Sequence, residues 1–113
     1  MAEWDVIFYT EGEQCPVKEF IGSLTKRDKA AVAHHLDLLR QFGILLTSPY
    51  VSKVTGHDDL WELRPRSTRL FYFAYTGRQF IILHAFRKKG QKTPPKEIET
   101  AERRMKRFLE EAK

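Results

Sequence analysis

Two alternating runs, Arg69–Tyr75 and Gln79–Phe86, are separated only by Thr76-Gly77-Arg78, a spacing that commits this part of the chain to an antiparallel β-hairpin. A hairpin is marginal on its own, so the rest of the 113 residues must supply further strands and an apolar cover. The candidate strands precede it. Leu60–Arg64 reads as a strand, and Tyr50–Val54 as a short extra strand or an extended approach to it. Trp4-Asp5-Val6-Ile7-Phe8-Tyr9 reads as a first strand that ends at the polar Thr10-Glu11-Gly12-Glu13.

The cover comes from helices. Pro16 suits a first helical position, where its missing N–H is not needed, and Val17, Phe20, Ile21 and Leu24 follow at helical spacing. Thr25 followed by Asp28 marks the start of a second helix with the stripe Val32, Leu36, Leu39 and Phe42, and Gly43 is its stop. Thr93-Pro94-Pro95 opens a last helix that carries Ile98, Ala101, Met105, Leu109 and Ala112 on one face. This order predicts the α+β class: an N-terminal strand and helical hairpin packed on a mostly antiparallel sheet, then a C-terminal helix, all in one domain over residues 1–113. Arg69, Phe71, Phe73 and Tyr75 share one face, Leu70, Tyr72 and Ala74 the other, and Glu62 and Arg64 point the same way. One face is expected under the helices and the other at least partly open, with the rows unassigned.

Several function classes are excluded early. No apolar run approaches the roughly 20 residues that span a bilayer, and Met1 to Thr10 carries Glu3 and Asp5 instead of a basic leader. A cytoplasmic protein with no membrane contact is expected. Cys15 is the sole cysteine, so no internal disulfide or cysteine-pair zinc site can form, and a buried or helix-end position is expected for it. His34, His35 and His57 lack metal-ligand spacing, and no metal or cofactor is expected. His84, within Ile81-Ile82-Leu83-His84-Ala85-Phe86, reads as a satisfied core histidine.

Charge points the other way, toward a ligand. Residues 1–60 hold six Lys/Arg against nine Asp/Glu, whereas residues 61–93 hold Arg64, Arg66, Arg69, Arg78, Arg87, Lys88, Lys89 and Lys92 against Glu62 alone. Such a cluster repels itself on a compact domain unless an anion is its partner, and phosphate is the commonest. A solvated basic surface is the alternative.

The segments Leu60-Trp61-Glu62-Leu63-Arg64, Arg69-Leu70-Phe71-Tyr72-Phe73 and Phe86-Arg87-Lys88-Lys89-Gly90-Gln91-Lys92-Thr93-Pro94 resemble the HigB-type, phage-derived branch of the RelE/ParE toxin superfamily. The resemblance runs through nearly the whole chain in element order. It implies a RelE/ParE-like domain acting as the toxin of a type II toxin-antitoxin system, an mRNA interferase that cuts messenger RNA in the ribosome and arrests growth. It also implies a cognate HigA-like antitoxin with a helix-turn-helix, through which alone DNA would be contacted. A ParE-like gyrase inhibitor and a non-catalytic RNA-binding relative are the alternatives, and the cationic cluster favours RNA.

Chemistry agrees with that resemblance. RNA carries its own nucleophile in the 2′-hydroxyl and needs alignment, proton transfer and stabilisation of charge on the phosphoryl oxygens, so a metal-independent endoribonuclease is feasible. Arginine forks grip two oxygens at once, which makes Arg64, Arg69 and Arg87 the candidate phosphate clamp. Lys88 or Lys89 would move a proton. Arg66 and Lys92 would hold RNA backbone, and Tyr72 would stack a base, although core packing is the usual use of such a ring. Glu62 would orient an arginine or act as a base. For Arg64 the structural alternative is an ion pair with Glu62.

Overall fold

The computed structural model describes residues 3–112; Lys113, expected to play no part in function, lies outside them. The elements are β1 (Asp5–Phe8), α1 (Pro16–Gly22), α2 (Lys26–Phe42), a single 3-10 turn (Gly43–Leu45), β2 (Val51–Lys53), β3 (Trp61–Leu63), β4 (Thr68–Tyr75), β5 (Gln79–Arg87) and α3 (Pro95–Glu111). The five strands form one sheet in the order β1-β5-β4-β3-β2. Only β1 and β5 run parallel; the other pairs are antiparallel, so the expected α+β fold with a mostly antiparallel sheet is what forms.

Local chemistry sets the boundaries. Thr25 accepts the Asp28 N–H at 3.2 Å and caps α2, while Cys15, half-buried, stands just ahead of Pro16 at the start of α1. Gly43 ends α2 with φ +56°, and a Cβ there would run into the Trp4 indole, so that position admits no larger residue. The β4–β5 turn uses positive φ at Gly77 and also at Arg78. Arg78 is held in that conformation because its carbonyl accepts the Asp5 N–H at 2.9 Å and its guanidinium lies over the Trp4 ring.

The sheet is covered on both sides. Leu63, Leu70, Tyr72, Phe80, Ile82 and Ala85 pack against Val17, Val32, Leu36 and Leu39 of the helical hairpin. Phe71, Phe73, Ile81, Leu83 and Phe86 face α3, where Ala101 is fully buried and Ile98, Met105 and Phe108 pack around it. The second face is therefore less open than the alternation suggests, because α3 lies along β5 and leaves a groove only toward β2 and β3. Three apolar positions differ from expectation, and Ala112, exposed at the end of α3, is one of them. Leu109 is exposed and Phe108 takes its place against Phe73 and Tyr75, at ring separations of 5.9 and 5.1 Å. Phe42, in the last turn of α2, is 48% exposed and does not continue the buried stripe.

One irregularity aims a side chain. Partners run Phe71↔His84 and then Tyr72↔Ile82, leaving Leu83 unpaired as a bulge in β5. Strict alternation would seat His84 beside Ile82, under the helical hairpin. The extra residue turns it to the α3 face instead, beside Glu97 and Arg104.

Candidate nucleic-acid interface

The α3 face of the sheet carries Ser52, Glu62 and Phe71 opposite one another across β2, β3 and β4, with Arg69 and Arg64 two residues further along their segments. Glu62 is nearly buried, at 7% exposure. Its Oε1 lies 3.6 Å from the Nε of Arg64 and 3.6 Å from the Nε of Arg69. Among the described residues, no donor hydrogen-bonds either of its oxygens. About a tenth of its side-chain surface opens onto a groove, where water or a ligand can supply the donor.

Arg69 is fixed by its own turn. Its Nη1 donates to the Arg66 carbonyl at 2.7 Å and the Thr68 carbonyl at 2.9 Å, which leaves its Nε unbonded and buried. Burial lowers the proton affinity of this guanidinium; Glu62 opposes the shift and Arg64 adds to it. Arginine starts so high that it remains charged. The turn that supplies the carbonyl, Pro65-Arg66-Ser67, places Arg66 at φ +56°, a strained conformation for a residue with a side chain. Arg66 Nε donates to Asp28 Oδ1 at 2.9 Å, which ties the strained turn to the first turn of α2.

Two contiguous grooves meet at Arg64. One, of about 590 Å³, is lined by Arg64, Arg66, Arg69, Lys88 and Lys89 with Ser67, Gly90 and Gln91. The other, of about 510 Å³, lies between β2 and the start of α3 and includes Ser52, Thr55, Glu62, Lys92, Thr93 and Ile98. Arg64, Lys88 and Gln91 belong to both. Five of the eight residues expected to act on RNA therefore share the first groove, and Lys92 borders the second.

The other two are elsewhere. Arg87 faces α2: its Nη1 donates to Ser67 Oγ at 3.3 Å and its Nη2 lies 3.7 Å from Asp28 Oδ2. The bulge at Leu83 sets the phase that sends Arg87 to that side, away from Glu62. Tyr72 is corrected from base contact to core. It is 4% exposed, packs edge-on against Phe80, and burial pushes its phenol well above the ordinary range.

A second polar network was not foreseen from sequence. His84 Nε2 meets Glu97 Oε1 at 2.6 Å, and Arg104 Nη1 meets His84 Nδ1 at 3.1 Å and the Leu83 carbonyl at 3.0 Å. Since Arg104 only donates, Nδ1 accepts and the Nε2 proton goes to Glu97, so the imidazole is neutral. Burial first, then Arg104 and Arg103, hold its proton affinity below the usual histidine range against the pull of Glu97. The network pins α3 to the bulge, as expected of a satisfied histidine; its signal in sequence is the spacing of Glu97 and Arg104, two turns apart on one helix face.

Among the described residues, no three His, Cys, Asp or Glu side chains gather around a possible metal position. No helix among them is long and apolar enough to cross a membrane. The fold and grooves define a small α+β domain with a cationic interface built around one buried carboxylate. Residues 19–106 match the family described as phage-derived protein Gp49-like (DUF891), and the chain belongs to that family. No curated protein sequence matches it.

Proposed function

We propose that this chain is the toxin of a type II toxin-antitoxin pair and cuts messenger RNA on the ribosome without a metal. The observation that carries the reading is Glu62, a nearly buried carboxylate with no hydrogen-bond donor of its own, set between Arg64 and Arg69 on the wall of a cationic groove. Arg64 and Arg69 are the phosphate clamp. They stabilise the charge that grows on the phosphoryl oxygens as the 2′-oxygen attacks phosphorus. The 2′-hydroxyl proton passes to the Glu62 carboxylate as the O–P bond forms. The P–O5′ bond breaks, and the 5′-oxygen takes a proton from Lys88, which borders both grooves. The products are a 2′,3′-cyclic phosphate and a 5′-hydroxyl. Arg66, Lys89 and Lys92 hold the backbone.

A HigA-like antitoxin and the ribosome are the partners this reading requires. The test is to induce the chain alone in bacteria and map 5′ ends on translated and untranslated copies of one message. Cuts confined to the translated copy are expected. Growth arrest without cuts overturns the reading in favour of a gyrase-directed toxin, and the absence of both favours a non-catalytic RNA-binding relative.

A further inference from the structure

The two grooves that meet at Arg64 differ in chemistry. Side chains on the 590 Å³ side are cationic apart from Ser67 and Gln91, which suits a run of phosphates and offers little to tell one base from another. The 510 Å³ groove is different. Beside its charged groups, Glu62, Arg64 and three lysines, it presents uncharged groups that both donate and accept, Ser52, Thr55, Thr93 and Gln91, and the apolar Val54 and Ile98. Its volume falls within the usual range for a site that encloses a small ligand.

The walls of this groove are also held in place. Ser52 sits in β2, paired with Glu62 of β3. On the other wall, Thr93 lies two residues ahead of Pro95, where α3 begins, and the first turns of that helix are fixed by Glu97 on His84. Val54 is buried against the sheet. Reading a base by hydrogen bonds requires such rigid donors and acceptors, because a mobile rim adapts to any base.

We infer that the groove between β2 and α3 is a nucleobase subsite, in which Ser52 and Thr93, with Gln91 at its mouth, select the base next to the phosphate held by Arg64. The inference rests on the RNA-cleaving reading and adds the direction in which the strand lies: one base enters the groove between β2 and α3, and the chain beyond the scissile phosphate follows the 590 Å³ groove. Val54 and Ile98 contact the face of the base, and the hydroxyls and the amide contact its edge.

The experiment compares cut sites across a transcriptome of translated messages for the native chain, Ser52→Ala, Thr93→Val and Arg66→Ala, with thermal unfolding of each purified variant. The native chain should favour one base at one fixed position relative to the cut. In Ser52→Ala or Thr93→Val that preference should weaken by roughly tenfold while cutting continues. Arg66→Ala should reduce cutting at all sites alike. An unchanged preference in both groove variants overturns the subsite and leaves the cleavage reading intact. So does the loss of all cutting in a folded groove variant, because those residues would then serve the reaction and not the choice of base. If the native chain makes no cuts, the cleavage reading itself falls and the subsite with it. Should Thr93→Val weaken α3 and unfold, Ser52→Ala on the edge strand decides alone.

Discussion

Arg64 and Arg69 flank the same carboxylate but stand on different footings. Arg64 is one-third exposed, while Arg69 is 12% exposed and bonded to two carbonyls of its own turn. Arg64→Ala should therefore lower cleavage by about a hundredfold or more with an unchanged melting temperature. Arg69→Ala should lose both, since it leaves the Arg66 and Thr68 carbonyls without their donor and Glu62 with Arg64 alone; activity assays paired with thermal melts separate the two. Asp28 is bonded to Arg66, and that bond, with the Arg66 and Arg87 charges and Thr25, holds its carboxyl below the ordinary range against desolvation. Its folded proton affinity is depressed, so its contribution is present above the ordinary carboxylate range and lost as pH falls through the folded value. Melting curves of native chain and Asp28→Asn should converge in acid and diverge toward neutrality. At this scale the sequence was only partly legible. Charge clustering located Arg64, Arg69 and the lysines, but Arg87 and Tyr72 were misplaced because a side chain's face depends on a bulge and on which row lies under the helices.

Elements were easier to read than faces. The hairpin, the α2 cap and both proline-initiated helices follow from local chemistry, and their observed limits lie close to the expected ones. The docking of α3 was not legible, since helical spacing alone admits either Phe108 or Leu109 on the buried face. Phe108→Ala should cost about 2 kcal/mol in denaturant unfolding, less than a fully buried ring, whereas Leu109→Gln should be close to neutral. The His84 network makes the same docking sensitive to pH. With its folded proton affinity below the ordinary value of 6.5, the unfolded chain binds the extra proton first. Stability is thus fully present above about pH 6.5 and declines as pH falls below it. His84→Gln should flatten that limb of the melting-temperature profile, and an unchanged limb would remove His84 from the account.

Across the whole molecule, charge and fold divide the labour. The acidic first half builds the helical cover, and the basic third supplies β4, β5 and the grooves at one end of the hairpin. Binding to an uncleavable oligonucleotide should weaken steeply with added salt, and Arg66→Ala should make the slope shallower, because each phosphate contact releases counterions. The sheet order has a consequence for synthesis. β1 occupies an edge and its only neighbour is β5, more than half the chain away. While the chain emerges from the ribosome, the first strand waits unpaired for several seconds until the last strand has been made. The lysines that follow β5, and the helix that roofs the neighbouring groove, arrive later still. A nascent fragment cut short before Gln79 therefore has no partner for β1 and lacks Lys88, Lys89 and Lys92, so the sheet edge and the cationic end of the molecule are completed together, late in synthesis.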